Sequence, residues 1–253
     1  MSFAKDELTH DAFLGGKLHL WQPRGGYRAG VDPVLLAACV PAVSGQTVLE
    51  LGCGGGAAVL CLAARVSGLR LTGVEVQPAY AELARRNGAE NRASLKVITA
   101  DLAALPVDVR QTSFDHVIAN PPYYRDGAHT SAQNAGRRVA LGERTPLGDW
   151  VDIAARRLAP KGYLHMIQRA DRLPELLLAC TGRLGSLEVL PLAARTGRPS
   201  DLVIVRARKG GRAAFVLHAP VILHKGAEHT VDGESYAVEI NKVLRDGAAL
   251  KWP

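Results

Sequence analysis

A short apolar run, Thr47–Leu51, ends in Glu50-Leu51-Gly52-Cys53-Gly54-Gly55-Gly56 and passes straight into the alanine- and leucine-rich residues 57–66. The run reads as a buried strand and the stretch behind it as a helix. Glycine takes the sharp backbone turn between them and lets a ligand approach the main chain closely, and the first helical turn offers N–H groups without an internal partner. That order of strand, glycine turn and helix points to an α/β fold and by itself leaves the ligand open.

The alternation continues from about residue 45 to 208. Arg70–Glu75 reads as a strand and 78–91 as a helix with proline in its first turn. Leu95–Ile98 and Phe114–Ala119 are further strands, 148–158 a helix, Gly162–Ile167 a strand and 172–181 a helix. Leu187–Leu192 and Leu202–Arg208 follow with no helix between them, so the last strand is expected to enter antiparallel. The fold class is α/β, a doubly wound, mostly parallel seven-stranded sheet with helices on both faces. The turn 209–212 (Lys-Gly-Gly-Arg) leads to another apolar run, 215–223, which predicts a hairpin. The last thirty or so residues are polar with a short helical patch at 236–244, a small C-terminal appendage. Three segments are expected: a leader (1–44), a ligand-binding domain (45–210), and a hairpin with tail (211–253).

Charge divides the chain unevenly. Residues 1–130 hold 12 Lys/Arg and 12 Asp/Glu, whereas 131–253 hold 19 against 12, which accounts for the whole net charge of +7. A basic half suits a polyanionic partner, and a scattered solvated surface would look the same. Cys39, Cys53, Cys61 and Cys180 form no Cys-x-x-Cys pair, and His224 and His229 lack further ligands at metal spacing. The start carries early acids and no apolar run, and no apolar stretch approaches ~18 residues. Reduced thiols, a cytoplasmic location, no membrane span and no metal are expected.

Glu75 ends the second strand, where a carboxylate can hold a ribose diol of either NAD or S-adenosylmethionine. Asp101 ends the third and can accept a hydrogen bond from an adenine amino group. An acid-x-Gly-x-Gly after the first strand, an acid after the second and Asp after the third resemble the class I methyltransferase pattern over about residues 47–208. That resemblance implies S-adenosyl-L-methionine as cofactor, with Glu50, Gly52, Gly54, Gly56, Glu75, Val76, Asp101 and Leu102 around it.

Asn120-Pro121-Pro122-Tyr123 follows the fourth strand, at the carboxyl edge where doubly wound folds bind ligands. The lone pair of a planar amine is delocalised, so methylating it requires the NH₂ group to be held and polarised. Asn120 Oδ1 and the Pro121 carbonyl are suited to accept its hydrogen bonds, the prolines fix φ, and Tyr123 can stack on a flat base. No general base is required, because the nitrogen can release its proton to water after transfer.

The motif resembles that of amino-methyltransferases. With Gly30-Val31-Asp32-Pro33-Val34-Leu35-Leu36-Ala37 and a basic C-terminal segment, the chain resembles the bacterial tRNA1(Val) adenine-N6 methyltransferases. That resemblance implies a leader packing over the cofactor site, with Gly30 and Asp32 near the cofactor's methionine end and Asn120 touching both cofactor and acceptor. Asp32 also suits a helix N-cap ahead of Pro33. The segment after Tyr123 has arginines at 125, 137, 138 and 144 and no clear periodicity. With Arg195 and Arg198, and a further cluster at 206–212, these arginines are candidate contacts to RNA, a tRNA above all. Glutamine-N5 protein methylation and guanine-N2 rRNA methylation remain open alternatives within the chemistry. Outside it stand an NAD-dependent oxidoreductase and a non-catalytic RNA-binding protein.

Overall fold

The structure, a computed structural model, describes residues 2–125, 142–143, 145–226 and 235–252, with backbone alone at 124, 125, 142 and 143. The leader forms an antiparallel hairpin, β1 (Leu8–Phe13) with β2 (Leu18–Pro23), and then helix α1 (Asp32–Ala38). The glycine loop joins β3 (Thr47–Leu51) to α2 (Ala57–Arg65). After it come β4 (Arg70–Glu75), α3 (Pro78–Glu90), β5 (Leu95–Thr99), α4 (Val107–Gln111) and β6 (Phe114–Ala119). Two-residue strands β7 (Tyr124–Arg125) and β8 (Gly142–Glu143) pair with each other. The rest is α5 (Leu147–Arg157), β9 (Leu158–Arg169), α6 (Leu173–Cys180), β10 (Gly185–Ala193) and β11 (Ser200–Arg208).

The sheet runs β10-β11-β9-β6-β3-β4-β5, with β11 alone antiparallel to its neighbours. These are the seven strands expected from the sequence. Two short strands, β12 (Val216–Leu217) and β13 (Val221–Ile222), extend it beyond β10. Both pair parallel with β10, so the hairpin expected across the 209–212 turn does not form. The reason is occupancy: β9 and β10 already take both edges of β11, and the chain must cross to the outer edge of β10 to find free N–H and C=O groups.

Apolar side chains alternate to the two faces and build two cores. One gathers α1, α2 and the tail, for instance Leu36, Leu60, Ile167, Ile204 and Ile240. The other gathers α5 and α6, with Leu147, Val151, Leu164 and Leu176. The tail closes on the first core: Ile240, Val243 and Leu250 are buried, Leu250 N–H donates to the Ala38 carbonyl (2.9 Å) and Trp252 Nε1 to the Cys39 carbonyl (2.9 Å). Trp252 also lies over Arg206, which pairs with Glu188 at 2.6 Å. Residues 14–17 meet the tail as well, Lys17 Nζ donating to the Asp246 carbonyl at 2.7 Å.

Because β11 is reversed, the arginines grouped together in the sequence part company. The loop with Arg195 and Arg198 lies at the carboxyl edge, as does Asn120, whereas Arg206, Arg208, Lys209 and Arg212 lie toward the amino edge. No helix among the described residues is long and apolar enough to cross a membrane, and all four cysteines are buried and free.

Candidate functional site

At the carboxyl edge the ends of β3, β4, β5 and β6 surround a cavity of about 560 Å³. That lies within the ~300–1,000 Å³ typical of small-molecule sites. Its floor is the glycine loop. Gly52, Gly54 and Gly56 have φ of 63°, 53° and 86°, the left-handed region that side chains disfavour. Gly52 is restricted twice over, because a Cβ there would come within 2.6 Å of the Trp150 ring.

One carboxylate organises this half. Glu75, 6% exposed, accepts from the Gly54 N–H (2.9 Å, Oε2) and from the Gln77 N–H (2.8 Å, Oε1). Burial pushes its pKa up, and the N–H donations from Gln77, Gly54 and Val76 oppose that. Glu50 turns beneath the loop, where Oε2 accepts from Val59 N–H (3.0 Å) in the first turn of α2. Burial chiefly, and Glu75 in addition, raise the Glu50 carboxyl to about 8. Asp101 is exposed; its Oδ1 accepts from Ala103 N–H at 2.9 Å, and Leu102 and half-exposed Val76 stand beside it. Two carboxylates flanking apolar walls over a glycine cradle fit a purine nucleoside with a hydroxylated sugar.

The second half is the Asn120–Tyr123 loop. Asn120 and Pro122 line the same cavity, and Asn120 Nδ2 donates to the Tyr27 hydroxyl at 3.5 Å. Buried Gln168 donates from Nε2 to the Pro122 carbonyl (3.3 Å) and accepts from the Arg169 N–H (2.8 Å). Among the described residues none donates to the Pro121 carbonyl. Tyr123 donates to Asp32 Oδ2 at 2.6 Å, and burial with the Asp32 charge drives its phenol pKa far up. Asp32 is the first residue of α1 and makes no capping hydrogen bond, so the N-cap expectation is corrected: its carboxylate serves Tyr123 instead.

The leader closes one wall through two asparagines a turn apart, Asn87 on α3 and Asn91 at its C-terminal cap. Asn87 accepts from Trp21 N–H (2.8 Å) and donates to the Trp21 carbonyl (3.1 Å), and Asn91 does the same for His19 (3.1 and 2.7 Å). Each carboxamide acts as a strand partner for β2, and Asn87 adds a bond to the Gly55 carbonyl (2.9 Å). Trp21, Gln22 and Tyr27 thereby face the glycine loop.

Of the residues singled out in the sequence, Glu50, Gly52, Gly54, Glu75, Val76, Asp101, Leu102, Asn120 and Pro122 share this cavity. Gly30, Asp32, Gly56, Pro121 and Tyr123 do not line it. Arg137 and Arg138 lie outside the described residues, and Arg125 is described in its backbone alone. Arg198 is exposed, whereas Arg195 is half-buried and braces the Lys225 carbonyl and Ser235 Oγ. Tyr27, Asn87, Trp150 and Gln168 escaped the sequence reading, because none belongs to a spaced motif and each gains its place through long-range contacts. No group of three or more metal-ligating side chains occurs among the described residues.

Residues 29–181 match the methyltransferase small domain family. A tRNA1(Val) (adenine(37)-N6)-methyltransferase of Porphyromonas gingivalis is 35% identical over 189 residues, covering 71% of this chain and 73% of that one. A predicted O-methyltransferase from Agrobacterium tumefaciens has a similar structure: TM-score 0.70, 27% identity, covering 87% of this chain and 99% of the other. A 16S rRNA N2 methyltransferase of T. thermophilus, solved with AdoMet and guanosine, shares the fold at TM-score 0.57 and 23% identity, covering 80% of this chain and 50% of that one.

Proposed function

The chain belongs to the methyltransferase small domain family and uses S-adenosylmethionine, and from that premise we propose that it methylates the N6 amino group of an adenine in a tRNA. The observation that carries this reading is one shared cavity, in which the glycine cradle with Glu75 and Asp101 meets Asn120 and Pro122. The 35% identity to an adenine-N6 tRNA enzyme supports the choice of acceptor.

In this reading Glu75 holds the ribose hydroxyls, Asp101 the adenine amine, and Val76 and Leu102 the faces of the ring. Gly52, Gly54 and Gly56 give the backbone its close approach, with Glu50 bracing the loop from below. Gly30 and Asp32 set the start of α1 against the methionine end. The bound cofactor supplies an electrophilic methyl group. Asn120 Oδ1 and the Pro121 carbonyl accept the two N–H groups of the acceptor amine and hold its lone pair toward that methyl group. Tyr123 supports the loop from behind through Asp32, and the proton leaves to water after transfer.

Arg195 and Arg198 at the carboxyl edge, with Arg125, Arg137 and Arg138 after the motif, make up the path for the RNA backbone in a cytoplasmic enzyme. The test is transfer of a tritiated methyl group to total tRNA, rRNA, DNA and protein from cells lacking the enzyme, followed by nucleoside analysis. N6-methyladenosine from the tRNA fraction is expected. Label in protein glutamine or in rRNA guanine would replace the acceptor, and no label in any fraction would sink the proposal.

A further inference from the structure

Tyr27 stands at the junction of the two halves of the cavity. Its ring lies 3.8 Å from where a Cβ on Gly54 would be, and its hydroxyl accepts from Asn120 Nδ2 at 3.5 Å. Its backbone is fixed on both sides by one group, the Tyr80 hydroxyl, which accepts from Tyr27 N–H (2.8 Å) and donates to the Tyr27 carbonyl (3.2 Å). Tyr80 itself is 4% exposed at the start of α3, so the anchor is part of the core.

A carboxamide is nearly symmetric in shape, and only its hydrogen bonds decide which end faces a ligand. An incoming amine requires the oxygen; a flipped Asn120 would set N–H against N–H. A tyrosine hydroxyl can donate or accept, so its surroundings decide which it does. Burial raises the Tyr27 phenol, and the negative charge of Asp32 adds to it, so the group keeps its proton. With Asn120 Nδ2 as the donor on its oxygen, the hydroxyl acts as the acceptor of this pair.

We propose that Tyr27 is a positioning residue that holds the Asn120 carboxamide with Oδ1 toward the acceptor amine. The inference rests on Asn120 being the amide that binds the acceptor. A separation of 3.5 Å is long, and hydrogen bonds at catalytic centres commonly tighten once the reaction partners are in place.

Tyr27→Phe keeps the ring against Gly54 and removes the hydroxyl. It should lower kcat roughly 3- to 10-fold, the effect of one neutral hydrogen bond. KM for tRNA and the Kd of S-adenosylhomocysteine by calorimetry should stay at wild-type values, and the unchanged Kd also reports an intact fold. In an Asn120→Ala background the same change should have no further effect. Tyr80→Phe, which loosens the Tyr27 backbone and spares both side chains of the pair, should show the same split with a smaller fall in kcat. Wild-type kcat in Tyr27→Phe overturns the proposal, as does an equal further loss in the Asn120→Ala background. So does a fall in S-adenosylhomocysteine affinity that matches the fall in rate, which would make Tyr27 a wall of the cofactor pocket. A wild-type enzyme that methylates some other amine would revise the acceptor alone, and the same comparison on that acceptor would still decide the role of Tyr27.

Discussion

The two halves of the cavity are held in different ways. The glycine-loop half rests on backbone N–H groups converging on one buried carboxylate, Glu75, with partners two and twenty-one residues away. The Asn120 half rests on side chains from distant elements: Tyr123 on Asp32 and Asn120 on Tyr27, 91 and 93 residues apart, and Gln168 on the Pro122 carbonyl. Main-chain contacts at strand ends are rigid and tolerate changes of side chain nearby. Side-chain contacts between the leader and the loop can be tuned one at a time. The first half suits a methyl donor that is bound afresh in one pose at each turnover, the second an acceptor that must be selected.

That division can be broken by variants that should each affect one half. Asn120→Ala should lower kcat ~10²–10³-fold, as for loss of one positioned polar contact at a reacting centre. S-adenosylhomocysteine affinity should hold; a parallel fall in calorimetry would dissolve the distinction. Glu75→Ala should weaken cofactor binding by about 1.5–3 kcal/mol through loss of charge-assisted bonds. With saturating cofactor its kcat should approach wild type, and a large residual defect would place Glu75 in the chemistry. Tyr123→Phe should lower kcat about fivefold, near 1 kcal/mol, with little change in cofactor Kd.

Glu50 sharpens the cofactor side through pH. Its carboxyl is raised on folding from 4.5 to about 8. A raised group contributes fully to stability below its unfolded pKa, and the contribution drains away as pH rises through the folded value. Glu50→Gln keeps the bond from Val59 and cannot ionise. Relative to wild type its Tm should change little near pH 5 and gain several degrees by pH 9, since one pKa unit is worth about 1.4 kcal/mol and about 1 kcal/mol moves Tm by ~2–4 °C in a chain of this size. A pH-independent difference would show that Glu50 stays ionised throughout. The smallest effect is expected from exposed Arg198. If it contacts one phosphate, Arg198→Ala should reduce the slope of log K against log salt by about 0.7, and an unchanged slope would move the RNA path elsewhere.

The strands and acids were legible because their signals are local. Thr47–Leu51, Arg70–Glu75 and Phe114–Ala119 announce themselves by short apolar runs, and Glu75, Asp101 and Asn120 stand at strand ends. The β1–β2 hairpin stayed hidden, since what holds the outer edge of β2 is two asparagines 66 and 72 residues away, Asn87 on α3 and Asn91 at its C-terminal cap. The pairing of β12 depended on which edge of the sheet was vacant, a property of the whole sheet and not of the Lys209–Arg212 turn. Asp32 looked like a cap because its residue type and the following proline suit one, while its actual partner, Tyr123, lies 91 residues on.

The order of synthesis gives the clasp at the end of α1 a meaning in time. The Cys39 carbonyl waits for Trp252, 213 residues later, and the Ala38 carbonyl for Leu250. At ~5–20 residues per second a ribosome needs roughly 10–40 s to cover that distance. Through that interval those carbonyls have only water or provisional partners, and the helix whose other end carries Asp32 lacks its last anchor. A chain lacking Leu250 and Trp252 would thus keep every residue of the candidate site and lose this hold on the end of α1.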